Sequence, residues 1–145
     1  MSLDGSSQES PARGPRQTDI VLLGAERQTR ALLRAQLIEE GLDVLATDTW
    51  PMMRQYLRPG GKPRLAIVDL QGLPDPERVL SDLRVLMKPN RVLVLTAMDT
   101  VSPDAIDRLG FRVLKRPLSI GDVLNAAARA LQEQKTEHQA RPSDS

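Results

Sequence analysis

The residues best suited to chemistry each stand directly after a run of apolar residues. Asp69 follows Leu65-Ala66-Ile67-Val68. A carboxylate at that point can attack a phosphoryl group or ligate a metal ion. The plainer alternative is an acid that ends a strand and caps the following loop. Thr96 follows Val92-Leu93-Val94-Leu95. Its hydroxyl could bond a phosphoryl oxygen, or the residue could be a β-branched strand former and nothing more. Lys115 and Arg116 follow Arg112-Val113-Leu114 and precede Pro117. Either cation could reach a shared crevice; the alternative is a solvated basic pair ahead of a helix.

These residues can act together only if the fold brings the ends of their strands together. Five short apolar runs alternate with five helical patterns. The runs are Ile20 to Leu23, Leu42 to Ala46, Leu65 to Val68, Val92 to Leu95 and Arg112 to Leu114. The first, third and fourth are continuously apolar, as strands buried on both faces of a parallel sheet are. Between them, Arg27 to Glu40 carries an apolar stripe closed by Gly41, and Trp50 to Leu57 follows a Thr49 cap with Pro51 in its first turn. Asp75-Pro76-Glu77 and Ser102-Pro103-Asp104 each read as a helix start, with the side chain of Asp75 or Ser102 as cap. Ser119 and Asp122 form a capping-box pattern ahead of Ile120, Val123, Leu124, Ala127 and Leu131.

Strict alternation predicts an α/β fold: a flavodoxin-like, doubly wound, five-stranded parallel sheet of order 2-1-3-4-5 with five helices. Ligands of such sheets bind outside the carboxyl ends of the central strands. Gly24 and Ala25, after the first strand, and Asp69, after the third, are predicted to meet there.

Composition removes several function classes. There is no cysteine, and the single histidine, His138, lies in a polar stretch, so thiol chemistry, thiolate metal sites and a Ser-His-Asp triad are excluded. Twenty basic residues are balanced by 19 acidic ones, and neither sign gathers into the stripe that nucleic-acid binding requires. No apolar run approaches the roughly 18 residues of a membrane span. Residues 1–17 are polar and rich in Ser, Pro and Gly and read as a disordered leader, not a signal peptide. The domain is expected over residues 18–134, with a disordered tail or linker over 135–145. A cytoplasmic location is expected, with no contact to membrane or nucleic acid.

Asp69, Thr96 and a cation before Pro117, at the ends of strands three, four and five, together resemble the phosphorylation site of response-regulator receiver domains of two-component signal transduction. The resemblance runs from about Asp19 to Leu131. Leu65 to Leu70 is similar to the family's phosphoacceptor segment, Pro74-Asp75 to the Pro-Asp pair beyond it, and Thr96-Ala97 to its Thr/Ser-Ala. It implies that Asp69 is the phosphoacceptor position, that Thr96, Lys115 and Arg116 are phosphoryl-contact positions, and that the Arg116-Pro117 bond is cis.

The same resemblance shows where the chain departs from the pattern. Receiver domains carry two adjacent acids after strand one, which bind Mg²⁺ together with the phosphoacceptor. Here those positions are Gly24 and Ala25, and Glu26 is expected to begin the helix and point elsewhere. The family's lysine aligns with Arg116 and its switch aromatic with Val113. The expectation is therefore an atypical receiver: a regulatory module of a phosphorelay, not an enzyme, with weak or absent Mg²⁺-dependent aspartyl phosphorylation. It has no cofactor, Mg²⁺ entering only if the site is active. It would act through protein partners, such as a histidine kinase or an output domain, or as a homodimer through the fourth helix, fifth strand and fifth helix. The alternatives are a working phosphoacceptor at Asp69 and, from another class, a phosphate- or nucleotide-binding flavodoxin-like domain. Against the latter, Gly24 opens no glycine-rich phosphate motif.

Overall fold

The computed structural model describes residues 18–58, 63–97 and 100–140, with side chains in the last stretch through Glu137. The expected leader, residues 1–17, and the last five residues of the expected tail lie outside them. The strands are β1 (Ile20–Gly24), β2 (Val44–Thr47), β3 (Leu65–Asp69), β4 (Val92–Leu95) and β5 (Arg112–Leu114). The helices are α1 (Arg27–Glu39), α2 (Trp50–Tyr56), α3 (Pro76–Leu86), α4 (Pro103–Arg108) and α5 (Ile120–Ala140). All strand pairs are parallel, in the order β2-β1-β3-β4-β5. This is the predicted sheet.

Alternation along each strand sorts the core into two layers. Ile20, Leu22, Leu65, Ile67, Leu93 and Leu95 share one cluster with Leu33 and Leu37 of α1 and Val123 and Ala127 of α5. Val21, Leu23, Ala66, Val68, Val92 and Val94 share the other with Met53 of α2, Val79, Leu80 and Leu83 of α3 and Ile106 of α4. Every residue of β1, β3 and β4 is buried, as their unbroken apolar runs require, whereas the edge strands β2 and β5 are only partly covered. Among the described residues no helix is long and apolar enough to cross a membrane.

Local signals hold at most helix ends. Thr49 and Ser102 cap α2 and α4 through their hydroxyls. The capping box of α5 is complete: Asp122 N–H donates to Ser119 Oγ at 3.1 Å, and Ser119 N–H donates to Asp122 Oδ2 at 2.9 Å. Ser119→Ala is expected to cost about 1 kcal/mol, a fall in Tm of roughly 3 °C in a thermal melt. An unchanged Tm would show that the box is not stabilising the helix.

One expectation needs correction. Asp75 stands at the N-cap of α3, but its side chain makes no capping bond. Its backbone is left-handed, with φ 51°. A capping side chain reaches the N2 or N3 amide from extended backbone, and this turn carries it elsewhere. Helix α5 runs on to Ala140. Its last turns are built from helix-favouring Gln, Glu and Lys. Gln134 Nε2 also ties the helix to the sheet, donating to the Arg64 carbonyl at 2.7 Å.

Candidate functional site

Parallel register places the candidate residues side by side at one end of the sheet. Gly24 of β1 pairs with Asp69 of β3, and Asp69 with Leu95 of β4. Leu95 pairs with Leu114 of β5. Thr96 is the next residue after β4, and its N–H donates to the Leu114 carbonyl at 3.0 Å. Arg116 lies two residues past β5.

Asp69 is 3% exposed and Thr96 5%, so the polar atoms of both need partners. The backbone N–H of Gln71 donates to Asp69 Oδ1 at 2.9 Å. Arg116 Nη2 donates to Asp69 Oδ2 at 3.0 Å, completing an ion pair. The other arm of the guanidinium, Nη1, donates to the Thr96 carbonyl. The backbone N–H of Arg116 donates to Thr96 Oγ1 at 3.1 Å. One residue thus joins the exits of three strands. The Arg116-Pro117 peptide bond is cis, the isomer the resemblance implies. Lys115, one position earlier, is exposed. The crevice cation is therefore Arg116, in keeping with the opposite facing of successive residues in extended chain.

On the other side of Asp69 the strand exit carries no acid. Gly24 is buried and Ala25 follows it. Glu26 is the N-cap residue of α1 and accepts a hydrogen bond from the Thr29 hydroxyl, so it is not a replacement ligand. Arg30 was not singled out in the sequence, yet its Nη1 donates to the Gly24 carbonyl at 2.7 Å. Helical side chains lean toward the helix N-terminus. A basic residue one turn into α1 therefore reaches back over the end of β1. That rule is the signal that could have found it.

Among the described residues no group of three or more His, Cys, Asp or Glu side chains stands close enough to hold a metal ion. Mg²⁺ asks for near-octahedral oxygen ligands and usually one or two carboxylates. At the crevice it would meet one carboxylate, already paired, and two guanidinium groups. The donor set does not fit that ion.

No protein-family model matches the sequence, and no curated protein matches it. Solved structures do. A signal receiver domain from Vibrio parahaemolyticus is 23% identical with a TM-score of 0.72, over 86% of this chain and 98% of that one. A CheY-like response regulator receiver domain protein from Methanospirillum hungatei is 19% identical with a TM-score of 0.70, over 84% and 99%. The chain has the receiver fold. NtrX from Brucella abortus also matches, with 21% identity and a TM-score of 0.71, over 86% of this chain but only 29% of its own length. Val113 of β5 is half-buried, and Phe111 is buried in the core.

Proposed function

We propose that this chain is a receiver-like regulatory module of a two-component system that works through protein contacts, with little or no Mg²⁺-dependent phosphorylation of Asp69. The observation that carries this reading is the partner of Asp69. Its carboxylate faces the guanidinium of Arg116 at 3.0 Å, and β1 ends beside it in Gly24. Phosphoryl transfer to a carboxylate brings negative charge against negative charge, and a divalent cation ordinarily offsets it. With Gly24 and Ala25 in place of acids, the crevice does not recruit that cation. Its fixed charges are guanidinium groups already engaged with protein oxygens.

The fold of the neighbours supports the class of role, since those described above are named as receiver domains or, as with NtrX, are longer proteins matched over one part. Partners of matching chemistry are a histidine kinase, an output domain, or a second copy joined through α4, β5 and α5. The test is incubation of the intact protein with Mg²⁺ and a small-molecule phosphodonor, followed by mass spectrometry. The expected result is no added phosphate mass. Incorporation mapped to Asp69 would overturn the reading and make the chain a working phosphoacceptor.

A further inference from the structure

We propose that Arg116 is a built-in counter-ion that closes the crevice, making Asp69 a structural anchor that holds Thr96 and the entrance to α5 in one arrangement. The inference deepens the reading above, and it rests on the geometry around Arg116.

Each oxygen of the Asp69 carboxylate has a donor: Gln71 N–H on Oδ1 and Arg116 Nη2 on Oδ2. Both donors belong to the chain, so the charge is met by the fold itself. Arg116 then makes two further bonds, both to Thr96. Nη1 binds its carbonyl and the backbone N–H binds its hydroxyl oxygen. A lysine could not reproduce this. Its ammonium is a single point charge, whereas the planar guanidinium serves two acceptors at fixed angles. Asp69 orients the guanidinium, and the guanidinium fixes Thr96. A Thr96 side chain that accepts from the β5 exit is held toward β5. Val113, on β5, is a half-buried aliphatic residue packed against the α2–α4 layer, with no ring to exchange between an inward and an outward position.

The pair is also isolated from bulk solvent on the acid side. The Asp69 side chain is 4% exposed and that of Arg116 24%. Removing one partner of such a pair leaves a charge buried alone, which costs far more than the net worth of the intact pair. The signature of a clamp is therefore strong non-additivity.

The experiment is a double-mutant cycle in the full chain, followed by urea unfolding, with Asp69→Asn, Arg116→Gln and both together. No metal or phosphodonor is present, so its outcome is separate from that of the phosphorylation test. Arg116→Gln, which strands the buried Asp69 carboxylate, is expected to lower the folding equilibrium constant on the order of a hundredfold, and Asp69→Asn, which leaves a partly exposed guanidinium, should lower it less. The double variant should lose no more than the worse single. Losses that multiply would overturn the proposal. Should a single variant fail to fold, Arg116→Lys keeps the charge while losing the second arm, and it is read by NMR. Exchange broadening at the Thr96 and Val113 methyls in Arg116→Lys, against single sharp signals in the natural chain, is expected. Sharp, unshifted Thr96 and Val113 signals in that variant would equally overturn the clamp.

Discussion

Gly24→Asp combined with Ala25→Asp is expected to give a protein that binds Mg²⁺ saturably at millimolar concentration, where the natural chain is expected to show no saturable binding. Space is not the obstacle. A Cβ at Gly24 would lie 3.6 Å from Arg30 Cβ and 3.9 Å from Asp69 Cβ, both ordinary contacts. Nor is backbone conformation, because among the described residues the positive-φ glycines are Gly41, Gly72 and Gly110. The new carboxylates would gather near Asp69. Two unit charges about 4 Å apart repel by about 4 kcal/mol at an effective dielectric near 20. Arg30 and Arg116 would offset part of this. The metal-free variant should therefore be less stable than the natural chain, and Mg²⁺ should restore it. At ten times its Kd, the ion returns about 1.4 kcal/mol. Thermal melts with and without Mg²⁺ read the effect directly, and an NMR titration locates it. A variant that folds yet ignores Mg²⁺ would show that missing acids are not the whole cause. Adding Arg116→Lys would then test whether the grip on Asp69 is the remaining barrier.

Ile67→Ala is expected to lower stability by about 4 kcal/mol. Ile67 is fully buried in β3, between β1 and β4, in the layer beneath α1 and α5. With only one Phe, one Tyr and one Trp in the chain, that layer is filled by Leu, Ile, Val and Ala. No neighbouring ring can swing in to occupy the cavity, and the central position of the strand limits collapse around it. Against a total of about 5–15 kcal/mol, the loss should move the urea midpoint far toward zero. Val85→Ala is the control. Val85 is 86% exposed on α3, and its truncation should change stability by less than about 0.5 kcal/mol. Equal effects at the two positions would mean that the layered core is wrongly placed.

The candidate site was legible only as residue types at strand ends. Asp69, Thr96 and the pair Lys115-Arg116 each follow an apolar run, and strict alternation requires those ends to lie along one edge of the sheet. Which of the two cations enters the crevice was not legible, because it depends on how the chain turns after Leu114. Arg30 was invisible for the same reason. Its role comes from the line of a helical side chain back to the Gly24 carbonyl, 2.7 Å away. Asp75 shows the opposite failure. Asp-Pro-Glu has the composition of a helix start, but a left-handed backbone at Asp75 takes its side chain out of the cap.

The amino-acid sequence by itself determined the fold class, the strand order and the two-layer aliphatic core. Those follow from local periodicity and from the few ways parallel β-α units can be wound. It also determined the absence of an acid at either of the two positions where β1 ends, since Gly24 and Ala25 bear no carboxylate in any conformation. The tertiary structure alone decided what Asp69 does with its charge. A pairing across 47 residues, held at 3.0 Å, depends on three strand ends arriving in register and on one guanidinium bridging them, and neither condition leaves a trace in local sequence.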